Sequence, residues 1–231
     1  MKNIIKYIKF GVALSLFFFG TLLQYIPIFI FKLDPHNLTT EQSFYLTIFS
    51  NIVCFTILVI MYRKSIIEGF KDLLSKKGKP LLRGFEIWFV GLMIMSFSTM
   101  LISWLNNGNT STNEESIRYT LEMFPILASI SIAIFSPMIE ELVFRKSFRE
   151  VFNNKWIYIA TSGLLFGALH VFLSPINSVI DYLFLIPYCS MGVAFSYMYY
   201  ESDNIMVPIS MHIMHNTLNI IFTLLMVGAI W

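Results

Sequence analysis

The sequence predicts an all-α fold, a polytopic membrane bundle of about seven transmembrane helices with a cytoplasmic N-terminus. Three observations carry that prediction. Of 231 residues, 56% are hydrophobic and only 13% charged, against roughly a quarter charged in ordinary soluble domains, and the mean hydropathy is +0.69. The apolar residues gather in long runs nearly free of charge. The basic residues cluster on alternate connections between those runs.

The runs cover Phe10–Phe31, Ser43–Tyr62, Ile87–Leu105, Met123–Ile139, Trp156–Leu173, Tyr182–Tyr200 and Ile205–Trp231. A helix crosses the hydrocarbon core in about 20 residues because only internally hydrogen-bonded backbone is tolerated there. Strands of a membrane barrel would alternate in polarity, and no run does so. Lys2, Lys6 and Lys9 precede the first run in the manner of a secretory signal. That run exceeds the core of about 7 to 15 apolar residues typical of signals, and no small-residue cleavage site follows before Lys32, Asp34 and Pro35, so it is expected to stay as an anchor.

Orientation follows from the excess of Lys and Arg on cytoplasmic loops near helix ends. With the N-terminus inside, the inner segments hold fourteen basic residues: Lys2, Lys6, Lys9, Arg63, Lys64, Lys71, Lys76, Lys77, Lys79, Arg83, Arg145, Lys146, Arg149 and Lys155. Lys32 and Arg118 alone fall outside.

The connections are short, with no repeat or low-complexity tract, so residues 1–231 form one integral membrane domain. Residues 10–122 hold the first three helices and a cytoplasmic basic segment, 63–84. Residues 123–231 hold the other four. Within the basic segment Ile66, Ile67, Phe70, Leu73 and Leu74 recur at helical spacing among lysines, as in a helix lying in the headgroup region. A plain basic loop is the equal alternative. The polar stretch from Asn106 to Glu122 reads as a connector, and Cys54 and Cys189 as small buried hydrophobes rather than disulfide or metal partners.

An ionisable group at the centre of a spanning helix costs about 2.5 to 3.5 kcal/mol, so each one needs a reason. They concentrate in the second half, as Glu140, Glu141, His170, His212 and His215, with Asn216 and Asn219 beside them. Glu141 and Arg145 are four apart and pair along one face, while Glu140 is rotated roughly 100° away and free to face the interior. Phe166 and His170, and His212 and Asn216, share faces by the same spacing. Pro137 denies a hydrogen bond to the carbonyl four residues earlier and should loosen its helix just before the glutamates. Together these residues suit peptide hydrolysis. Glu140 is the candidate general base, His170 orients the water, and His212 and Asn216 donate to the oxyanion.

The stretch from Ser136 to Arg145 resembles the E-E-x-x-x-R motif of the CAAX-protease and bacteriocin-processing membrane peptidases, also called the Abi family. Phe166 to His170 is similar to the family's F-x-x-x-H motif, and His212 to Asn216 to its H-x-x-x-N motif. The resemblance covers about Phe135 to Phe222. It implies an all-helical membrane bundle whose site lies in a cavity reached from the cytoplasm. It also implies an endopeptidase in which Glu140 and His170 activate water, His212 and Asn216 stabilise the oxyanion, and Glu141, Arg145 and Phe166 support them. His215 and Asn219 form a second H-x-x-x-N frame, and Pro208 ahead of His212 favours the first.

Cofactors stay open. No metal is required, and a zinc ion held by Glu140, His170 and His212 is the alternative. The partners implied are the bilayer and a peptide or protein substrate at the membrane, with no nucleic acid, and the location is a bacterial cell membrane. Two other classes compete: a non-catalytic membrane immunity or scaffold protein, and a proton-coupled transporter, against which no repeat of one half in the other is visible. Depth is a further constraint, since His170 lies about 21 Å along its helix from Trp156 and His212 only about 10 Å from Ile205, and these must meet.

Overall fold

The computed structural model describes residues 2–226; the last five positions of the seventh run lie outside the described residues. Among the described residues there are eight helices, seven of them long and apolar enough to cross a membrane. They are α1 (Ile4–Phe31), α2 (Thr40–Ser75), α3 (Lys79–Leu105), α4 (Thr112–Met123), α5 (Pro125–Val151), α6 (Lys155–Phe172), α7 (Val179–Ser202) and α8 (Met206–Met226). Among the described residues there is no strand.

Local sequence sets the boundaries. Thr39 caps α2 reciprocally: its hydroxyl accepts from the Gln42 N–H at 3.2 Å, and the Gln42 side chain accepts from the Thr39 N–H at 2.9 Å. Asn154 caps α6 through the N–H groups of Trp156 and Ile157 at 2.9 and 3.1 Å. Lys77 and Gly78, at φ 50° and 73°, turn the chain from α2 into α3. Gly78 does this without the steric cost a side chain would bring.

Two sequence expectations change here. The basic segment 63–84 is not a separate headgroup helix, because its first part continues α2 to Ser75 and its last part opens α3. At 36 residues α2 is about 54 Å long, against a hydrocarbon core near 30 Å, so its basic end projects beyond the span. The polar connector likewise contains a helix, α4, which Ser111 caps by accepting from the Glu114 N–H at 3.2 Å.

The centre of the molecule is α5, where Leu142, Val143 and Phe144 are fully buried. Phe144 meets Phe17 of α1 and Phe166 of α6 edge-on, with centroids 4.8 and 5.8 Å apart. Around α5, α6 and α7 approach so closely that glycine is required. Gly163 and Gly167 are four apart on one face of α6, the small-residue spacing of tight membrane helix pairs, and lie against Gly192 and the Cys189 backbone of α7. Ser162 of α6 joins them by bonding Ser196 of α7 at 2.8 Å and donating to the Phe144 carbonyl at 2.7 Å.

The depth question is answered at the turn before α8. Asn204 and Ile205 are buried, and the Asn204 amide donates to the Gly69 carbonyl at 2.9 Å and to Asp72 at 3.0 Å on the projecting part of α2. Helix α8 therefore starts inside the bundle, which brings His212 level with residues far along α5 and α6.

A Cβ on Gly167 would stand 2.5 Å from the Cys189 nitrogen, whereas one on Gly11 would meet nothing within 4 Å. Gly167→Ala should therefore cost about 1 to 3 kcal/mol through overpacking. Thermal unfolding in detergent should show a lowered midpoint for Gly167→Ala and none for Gly11→Ala.

Candidate active site

Helix α5 carries the acids, and its backbone explains their placement. It is not a plain α-helix: Ser131–Phe135 and Glu141–Ser147 are wound in the wider π form, with bonds reaching five residues back. In that register the Ser136 N–H pairs with the Ser131 carbonyl. The Ile132 carbonyl would then need the N–H of residue 137, which is a proline and has none. Asn216 of α8 fills the vacancy by donating its amide to the Ile132 carbonyl at 2.8 Å. The expected loosening at Pro137 thus takes the form of a widened helix, stitched to α8 by a predicted site residue. Single widened turns of this kind recur at functional sites.

Glu141 and Arg145 are both fully buried, and the Glu141 carboxylate lies 3.2 Å from the guanidinium Nε. That contact is an ion pair by distance without hydrogen-bond alignment. The guanidinium also lies over the Phe166 ring at 4.3 Å and over the Phe195 ring at 5.6 Å, so two aromatic faces share in balancing its charge.

The other Glu141 oxygen does something that spacing along one helix does not reveal. It accepts from His212 Nδ1 at 2.8 Å across to α8. Glu141 consequently joins Arg145 to His212 and fixes the imidazole, which is also stacked on Phe195 with centroids 4.6 Å apart. The opposite ring nitrogen, Nε2, lies 3.6 Å from Glu140. Unlike its neighbour, Glu140 keeps part of its side chain exposed, 17% against none for Glu141. It faces a cavity of about 300 Å³ that is also lined by His170, His212 and Asn216. The four predicted catalytic residues therefore meet around one space.

His170 is held differently. Its Nδ1 lies 2.9 Å from the Phe166 carbonyl, an acceptor only, so Nδ1 carries the proton and Nε2 holds the free lone pair. Phe166 packs against the ring at 4.5 Å, as its spacing predicted. Tyr188 of α7 covers the other face at 5.0 Å, and its hydroxyl is anchored by Ser111 at 2.7 Å and Asn113 at 3.2 Å. Tyr188 was not singled out from sequence, where nothing separates it from other aromatics of its run.

The alternative third-motif frame sits apart from the acids. His215 accepts from the Trp88 indole N–H through Nδ1 at 3.4 Å, and its Nε2 meets the Asn219 carboxamide at 3.2 Å. The structure places His212, rather than His215, beside both glutamates. For zinc, the fit is poor: Glu140 and His212 are adjacent, but among the described residues no three of His, Cys, Asp and Glu gather as a metal-binding group.

Residues 122–218 match the Rce1-like family, described as type II CAAX prenyl endopeptidases, and that segment contains every residue of the three motifs. The chain is 25% identical over 186 residues to YdiL of Bacillus subtilis strain 168, named as a candidate membrane peptidase, across 77% of this chain and 71% of that protein. It is 32% identical over 153 residues to MroQ of Staphylococcus aureus strain USA300, named as a membrane-embedded CAAX protease. That alignment takes in 62% of this chain and spans 57% of the relative's length. No solved structure gives a significant match. With seven apolar helices among its described residues and these bacterial relatives, the chain is an integral membrane protein whose second half is similar to the Rce1-like CAAX prenyl endopeptidases.

Proposed function

We propose that this protein is an intramembrane endopeptidase of the bacterial cell membrane, cleaving a membrane-associated peptide or protein with water activated by Glu140. The observation that carries the reading is the 3.6 Å approach of Glu140 to His212 Nε2 on a cavity that His170 and Asn216 also line. Carboxylate, two imidazoles and a carboxamide are the groups that amide hydrolysis needs, and all four line one partly apolar cavity.

The steps follow from the hydrogen bonds already made. His170, protonated on Nδ1, accepts from a water through Nε2 and orients it. Glu140 takes a proton from that water as the oxygen attacks the carbonyl carbon. With two carboxylates, one guanidinium and an imidazolium at His212, the cluster carries no net charge, which is the favoured state in a low-dielectric interior. His212 then has N–H at both nitrogens, Nδ1 bonded to Glu141 and Nε2 directed to the oxyanion. The second amide hydrogen of Asn216 reaches the same oxygen, while the first stays on Ile132. Collapse of the tetrahedral intermediate breaks the C–N bond, and the proton held by Glu140 passes to the leaving amine. The cycle consumes one water and no external acid or base.

The sequence left zinc open, and the donor arrangement favours the glutamate route. Cleavage of a quenched fluorescent peptide by purified protein should survive exhaustive treatment with EDTA; loss on chelation and recovery with added zinc would assign the metal instead. Glu140→Gln should lower the rate by about 10²- to 10⁴-fold, the range for a positioned general base, with an unchanged thermal midpoint. Full cellular activity in a stable Glu140→Gln protein would support a non-catalytic immunity or scaffold role. Glu141→Gln should behave differently, because it leaves Arg145 buried without a counter-charge at a cost of about 3 to 5 kcal/mol. Its signature is a lower midpoint in detergent, seen before any assay of turnover.

A further inference from the structure

The cavity lies at the end of the bundle away from most of the basic residues. Helix order fixes the two ends of the bundle. One end carries the N-terminal lysines and the turns after α2, α5 and α7, where the basic residues gather. The other carries the connection after α1, helix α4 and the connection between α6 and α7, with Lys32 and Arg118 as its basic residues. The cavity belongs to this second end. Beyond the catalytic residues it extends to Asn113 and Glu114 of α4 and to Thr223 near the end of α8. His170 lies two residues from the end of α6 on the same side.

A second recess adjoins it. Between α2 and the α4–α5 corner lies a cleft of about 390 Å³ that shares Asn113, Ile117, Ile132 and Ser136 with the catalytic cavity. Its α2 wall presents Ser43, Thr47 and Asn51, all in the third of that helix nearest the second end. Hydroxyl and carboxamide groups spaced along a cleft can exchange hydrogen bonds with the N–H and C=O groups of an extended chain, which is the demand any peptide backbone makes on leaving water.

We propose that the scissile peptide reaches Glu140 from the non-cytoplasmic side of the membrane, threading as an extended segment through the cleft between α2 and α4. The charge rule applies with force here because every connection is short. This deepens the peptidase reading and rests on it for the identity of the occupant. The substrates selected are segments already exported or exposed at the outer surface, rather than the cytosolic tails of prenylated proteins.

The test uses thiol accessibility, which needs no turnover and so is independent of whether the chain cleaves anything. In the full-length protein with Cys54→Ala and Cys189→Ser, single cysteines are placed at Asn109→Cys beside α4, Ser75→Cys at the basic end and Ser136→Cys on the wall common to cleft and cavity. Intact cells are treated with a membrane-impermeant methanethiosulfonate. Asn109→Cys and Ser136→Cys should react at once, and Ser75→Cys only after permeabilisation. Reaction of Ser75→Cys in intact cells with protection of the other two would overturn the proposal. Adding Thr47→Trp, which fills the cleft, should abolish labelling of Ser136→Cys and spare Asn109→Cys. Undiminished labelling of Ser136→Cys would remove the cleft as the route.

Discussion

The arrangement depends on one buried carboxylate. Glu141 faces no solvent, yet its two oxygens serve two helices: one meets Arg145 a turn further along α5, and the other holds His212 on α8. An isolated charge in that position would be prohibitive, so the carboxylate, the guanidinium and the imidazole are mutually required. Removing any one strands the others in an apolar interior. This interlock orients the His212 ring and gives its far nitrogen a fixed relation to Glu140. Adjacent glutamates thus divide the labour, the first turned to the cavity and the second to the scaffold. The helix, which rotates successive residues by about 100°, presents the two consecutive side chains in that way.

The second constraint is steric and comes from Pro137. A missing N–H in a helix interior leaves a carbonyl in search of a donor. Here the orphan is Ile132, and Asn216 supplies the bond. The residue proposed to meet the oxyanion also closes a gap in the backbone of α5. On that proposal function and stability are entangled at Asn216, while at Glu140 they are largely separate.

Much of this was legible in the sequence because the membrane simplifies the reading. Uncharged runs gave seven spans, and the cost of burying charge singled out Glu140, His170 and His212 before any coordinates. Spacing of four paired Glu141 with Arg145 and Phe166 with His170. What the sequence could not convey was contact between helices: that Glu141 reaches His212, that Tyr188 covers His170, and that Trp88 occupies His215. Those relations arise from how α3, α7 and α8 pack, and no periodicity within a helix encodes them. Apolar patterning also misjudged the ends. The helix of residues 40–75 outran its hydrophobic run because Lys and Glu continue a helix in water as readily as Leu does in lipid. In the stretch from Asn106 to Glu122, polarity concealed a helix begun by Ser111.

The glycine contact between α6 and α7 bears on motion. With Gly163 and Gly192 backbone against backbone, and Ser162 bonded to Ser196, that pair has no slack with which to separate. The His170 side of the cavity is accordingly a fixed anvil. Breathing large enough to admit or discharge a chain would fall to the opposite wall, where α2 meets the α4–α5 corner through the Phe44–Phe124 stack and the Asn51–Ser131 bond rather than backbone against backbone, so an inhibitor wedged there would hold that wall without touching a catalytic atom.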